Sequence, residues 1–201
     1  MKKPLLWSLV ALVAIAMLAL VGWQARRGWQ TLNISEADRR ALVLPVAALQ
    51  DFGITPECSG TCERYDSQRT GTALEVSYEY DDSDNDESPL YISSLAMLDW
   101  NDLSALQNFW GYRGGFHLGM LGHGEEVQVE EVMDNPMTLG DRRYWARIRN
   151  GKKPVGELVL VQQGRIVLAY IVVGVHFDES SDLEDFLRPV VKKAAALQAE
   201  G

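Results

Sequence analysis

The sequence predicts an α+β protein: one N-terminal transmembrane helix, then an antiparallel sheet of about five to six strands with helices packed on it. Three features carry that reading. An apolar run of 19 residues, Leu5–Trp23, opens the chain, interrupted only by Ser8 and Gly22. Strand-like stretches follow in runs rather than alternating singly with helices, which favours antiparallel pairing. A helical stripe of apolar residues closes the chain, where it can cover one face of the sheet.

At 1.5 Å per residue the opening run reaches about 28 Å, near the roughly 30 Å hydrocarbon core of a bilayer. It lacks the polar face that a helix on a soluble core would show. Trp7 stands near one end, and Trp23 and Trp29 stand at and beyond the other, where interfacial anchors belong. Lys2 and Lys3 also suit a secretory signal, but Val21-Gly22-Trp23-Gln24-Ala25 places bulky residues where a signal peptidase needs small ones. The expected layout is a tail over residues 1–4, an uncleaved signal-anchor over 5–23, a juxtamembrane linker over 24–34 and a soluble domain over 35–201. Lys2, Lys3 and the terminal amine stand against Arg26, Arg27, Arg39 and Arg40 across the run, and this count slightly favours a cytoplasmic domain. The export-like leader and a closely spaced cysteine pair put the domain outside the cytoplasm, on the periplasmic side of an inner membrane.

Within the domain, Ser35 starts a short helix that Pro45 ends or kinks. Residues 50–71, rich in Gly, Pro, Ser and Thr, read as loop. Thr72–Tyr80 alternates, with Leu74, Val76, Tyr78 and Tyr80 on one face, and Leu90–Leu98 forms a second strand. Asn101 or Asp102 caps a helix with Leu103, Leu106 and Trp110 on its apolar stripe, ending by Gly114-Gly115. Strands follow at Glu126–Met133, Arg142–Arg149, Glu157–Gln162 and Ile166–Val175. Asn150-Gly151 and Gln163-Gly164 mark the last two turns, and Pro154 lengthens the first of them. Ile166–Val175 is almost wholly apolar, which asks for cover on both faces and a central place. Ser181-x-x-Glu184 reads as a capping box before Leu183, Phe186, Leu187, Val190, Val191, Ala194 and Leu197, and Pro189 bends this helix. Over residues 70–198 this element order resembles the α-β-α sandwich of PsbP/Mog1-type domains. The resemblance rests on order alone and implies no functional residue.

Charge narrows function. No acid precedes residue 31, so residues 31–201 hold all 28 acids and 15 of the 19 basic residues, a net −13. A domain this acidic repels a phosphate backbone, which excludes nucleic acid as partner and predicts repulsion from anionic lipid.

Four groups could carry chemistry. Cys58 and Cys62 flank Ser59-Gly60-Thr61. A CxxxC spacing can bind copper, but this one has no strand leading into it and no βαβ pattern around it, so a structural disulfide is expected. The stretch Gly111–Glu126 holds His117, Met120 and His123, donors for a soft or borderline metal, but in no metal-ligand spacing and among six glycines that suit a mobile loop. Asp82-Ser83-Asp84-Asn85-Asp86 begins like a calcium loop, then places Glu87 where Gly belongs and Ser93 where the bidentate Glu belongs. Finally Arg143, Trp145, Arg147 and Arg149 share one strand face opposite Tyr144, Ala146 and Ile148. If the second set faces the core, the first faces outward as a partner-binding surface, with Glu157 or Glu130 as pairing acids.

No phosphate-binding glycine pattern and no GxSxG elbow occurs. The expectation is a membrane-tethered, non-enzymatic binding or accessory domain of the cell envelope, without cofactor, engaging another protein near the membrane. A copper- or zinc-handling protein is the alternative, and a hydrolase with an unrecognised site comes third.

Overall fold

The fold follows from strands that are apolar on both faces at the centre of the sheet and grow polar toward its edges. In the computed structural model, which describes residues 17, 19, 22, 23, 26, 28–30, 32–56, 61–85, 89–120, 127–133, 136–177 and 179–199, seven antiparallel strands form one sheet. They are β1 (Glu63–Thr70), β2 (Ala73–Asp82), β3 (Leu90–Asp99), β4 (Val127–Glu131), β5 (Arg142–Asn150), β6 (Lys153–Gln163) and β7 (Ile166–Val173). Their spatial order is β1-β2-β3-β7-β6-β5-β4. Two meanders thus meet at the β3–β7 pair, and the expected central strand, β7, is central.

Helix α2 (Asp102–Met120) carries the chain from β3 to the far edge strand β4 and covers one face. Its Ala105 and Phe109 pack on Tyr144, Ala146, Leu158, Leu160 and Val167. The other face is covered by α3 (Ser180–Ala199) together with residues 32–54, which include α1 (Glu36–Arg40) and a 3-10 helix (Val46–Phe52). Leu183, Phe186, Leu187, Val190, Val191 and Ala194 of α3 are buried there, with Leu197 partly so, as the stripe predicts. Pro189 lies inside α3 without ending it.

Several expectations need correction. The sheet has seven strands because β1 lies in the stretch expected as loop; it is an edge strand, mostly exposed, and Tyr65 is its one large apolar side chain. Helix α2 is capped by Asn101, whose Oδ1 accepts from Ser104 N–H at 2.9 Å, but it runs through Gly114-Gly115 to Met120. The packing of Tyr112 and Phe116 on the sheet offsets the cost of about 1 kcal/mol per helical glycine. Its buried stripe is Ala105 and Phe109; Leu103 and Trp110 are exposed. Pro154 lengthens no loop: it sits in β6 at a bulge opposite Arg149, beyond the last β6–β7 pair, where a missing N–H costs no ladder bond to β7. Ser181 lies inside α3, and Glu184 accepts from the Thr138 N–H and hydroxyl, holding the 136–139 loop instead of closing a capping box.

Most of residues 5–23 fall outside the described residues; 17, 19, 22 and 23 are helical. No helix among the described residues is long and apolar enough to cross a membrane. The stretch expected as linker is helical at 26, 28–30 and 32, and Leu32 is buried in the core.

Candidate functional site

Strand β5 places Tyr144, Ala146 and Ile148 on the α2 side, and Trp145 on the other, in accord with the alternation. That second face is not solvent. The chain returning through Met137 and Leu139 and the start of α3 cover it, and Trp145 is 3% exposed. The four residues expected as one outward surface are therefore divided. Arg143 is exposed, Trp145 is core, and Arg147 is half-buried with its guanidinium 5.3 Å from the centre of the Trp145 ring. Arg149 pairs with Glu130 and reaches the Lys152 carbonyl.

Trp145 leads to the most chemically organised cluster in the domain. Its indole N–H donates to Glu157 Oε2 at 2.7 Å. Glu157 Oε1 shares a hydrogen bond with His176 Nδ1 at 2.5 Å and accepts, at 3.4 Å, from the Phe177 N–H. Arg147 stands cross-strand from Glu157, and its buried Nε has no hydrogen-bond partner among the described residues. Glu157 is 1% exposed, and burial raises its pKa above the ordinary carboxylate value although the Trp145 and His176 bonds pull it down. The cluster ties the segment between β7 and α3 to β6. A catalytic carboxylate must reach substrate, and this one has both oxygens engaged inside the core.

The remaining expected site residues do not converge. Cys62 is disulfide-bonded and, with Val46, Gln50, Glu63 and Tyr80, lines a cleft of about 520 Å³. Cys58 lies outside the described residues. His117 and Met120 belong to α2, their side chains lying outside the described residues, as does all of His123. No group of three or more His, Cys, Asp or Glu able to hold a metal occurs among the described residues.

A second opening, of about 500 Å³, runs between the 3-10 helix and α3. Val43, Leu44, Ala48, Phe52, Phe186 and Val190 form its apolar lining. Pro189 also lines it and, lacking an N–H, leaves the Asp185 carbonyl without its helical donor. At the rim Arg40 is paired with Glu36, Lys193 with Asp38 and Asp185 with Arg188. Asp51 has no ion-pair partner among the described residues. The density of apolar residues in Ala41–Phe52, read as a short helix and loop, was the one sequence signal for this groove. Neither Glu157 nor His176 lines either opening.

Compared with protein-family models, curated proteins and solved structures, the chain gives no match in any of the three.

Proposed function

We propose that this chain is a single-pass protein of the cell inner membrane whose extracytoplasmic domain binds another protein and performs no catalysis. The groove between the 3-10 helix and α3 carries the reading: an apolar trough edged by Asp51, which has no ion-pair partner among the described residues, suits an amphipathic segment bearing apolar side chains and a basic residue. The domain's net negative charge favours the same kind of partner. The tether rests on the apolar run Leu5–Trp23, and the periplasmic placement on the leader and the disulfide-bonded Cys62. A disulfide consumes the thiolate that copper or zinc handling would use, so the metal reading gains no support.

A photo-crosslinking residue at Ala41, on the groove's edge, tests the binding site in intact cells. A discrete crosslinked product is expected from Ala41, absent from Gln68 on β1, and lost when Ala48→Trp fills the groove. Equal crosslinking from both positions, or a product indifferent to Ala48→Trp, rejects the groove as the binding site.

A further inference from the structure

We propose that the end of the sheet nearest the N-terminal helix is a second contact surface, which lies against anionic lipid headgroups through Arg69, Arg142 and Arg143. The proposal rests on the reading of residues 5–23 as a membrane anchor, and it states which way the tethered domain faces.

Register puts Thr70, Ala73, Asp99, Ile166 and Gln163 on the last rungs at one end of the sheet, with Arg142 opposite Gln162 and Arg69 opposite Leu74. The N-terminal helix docks at that same end. A Cβ on Gly28 would lie 2.6 Å from the Trp100 ring and 2.8 Å from the Trp100 carbonyl oxygen, so helix backbone and Trp100 are in direct contact. Leu32, 1% exposed, then enters the core. From Trp23 to Gly28 is five residues, about 7.5 Å along a helix, so this end of the sheet comes within about a Debye length of the interface that Trp23 marks.

The charges at that end suit a bilayer. Arg69, Arg142 and Arg143 are exposed and have no carboxylate partner among the described residues. Arg113, Arg149, Arg165 and Arg188, by contrast, are all ion-paired. Arg69 places its guanidinium 5.4 Å from the ring centre of the exposed Trp29 and bonds Asn33 Oδ1 at 3.3 Å, an aromatic and a cation side by side, as at membrane interfaces. The acids nearby are Glu75, Asp99, which is buried and accepts from Asn108, Asp102, which pairs with Arg165, and Asp141, which accepts the Gly164 N–H at 2.7 Å. The opposite end gathers Glu63, Glu79, Asp81, Asp82 and Asp84, with Arg64, Arg149, Lys152 and Lys153 as its basic residues. The domain is acidic in total, yet the three arginines without a carboxylate partner at this end stand where the chain from the anchor enters. An anionic surface attracts these three cations where the anchor holds them close to it, so the repulsion expected from net charge alone is opposed at the entry end.

Hydrogen exchange of the full chain in nanodiscs of zwitterionic lipid, with and without phosphatidylglycerol, reads this contact. Each arginine near an anionic surface is worth roughly fivefold in the docking equilibrium. Amides of 70–73 and 140–143 are therefore expected to exchange at least about fivefold more slowly in anionic discs. High salt and the combined Arg69→Gln, Arg142→Gln, Arg143→Gln variant should each abolish the difference, while amides of 150–153 at the far end stay unchanged. Identical exchange in both lipids overturns the proposal. Alkaline carbonate extraction of native membranes separates the two ideas: release of the chain sinks the anchor and this contact with it, whereas retention with lipid-independent exchange sinks the headgroup contact alone.

Discussion

Glu157 shows how one residue can set a pH dependence from inside a core. Its carboxylate is shut from water, and burial raises its pKa above 4.5, against the opposing bonds from Trp145 and His176. A raised folded pKa means that the fold prefers the protonated form. The stabilisation from this group is complete below its unfolded value and is lost as pH rises through its folded value. Glu157→Gln keeps an acceptor for Trp145 and removes the titration. The stability of the wild type relative to Glu157→Gln is therefore expected to increase as pH falls from 7 toward 4, as read by urea unfolding at each pH; a pH-independent difference would contradict the assignment. Trp145→Ala should cost about 3–5 kcal/mol, because it opens a cavity in the core and strips Glu157 of a donor. A thermal melt reads that directly. Period two in Arg142–Arg149 correctly separated Tyr144, Ala146 and Ile148 from Trp145. It could not reveal that the Trp145 face is roofed, because the roof is Met137, Leu139 and α3, far away along the chain or irregular.

At the scale of elements, legibility follows burial. Strands β2 and β5 and helix α3 were readable because each buries a face whose period is written in apolar residues, and β7 because it is apolar on both faces. Edge strand β1 was not, since Glu63–Thr70 buries almost nothing and owes its conformation to pairing with β2. Helix α2 misled for a related reason: its large exposed residues Leu103 and Trp110 imitate a buried stripe, while the true contact uses the small Ala105 beside Phe109. Its glycines do not end it because tertiary packing overrides propensity. A Cβ at Gly114 or Gly115 meets nothing within 4 Å, and neither residue has positive φ. Gly114→Ala and Gly115→Ala are thus each expected to stabilise the domain by about 0.5–1 kcal/mol. No gain in chemical denaturation would mean that the helix is broken there, as its sequence first suggests. The groove, too, was hidden, since it exists only where α3 meets a segment some 140 residues earlier in the chain.

For the whole molecule, the open question of where the domain begins has a measurable answer. The expected boundary at Ser35 treats residues 24–34 as linker, yet Leu32 is 1% exposed and Gly28 presses its backbone on Trp100. Burying one leucine is worth about 1.5–3 kcal/mol, and the uncovered Trp100 surface adds to that. Asn33 and Trp29 also engage Arg69 from β1, so the entering helix touches the sheet's edge as well as its end. A chain starting at Gly28 retains these contacts and a chain starting at Ser35 loses all of them. The Ser35 chain is therefore expected to melt lower by about 5–10 °C, at roughly 2–4 °C per kcal/mol for a domain of this size. Both should run as folded species in gel filtration, because the main core from β2 to α3 is untouched. Equal melting temperatures would show that residues 28–34 rest on the domain without stabilising it. The helix would then be a pliant tether, and the fixed orientation on which the headgroup contact depends would be lost with it.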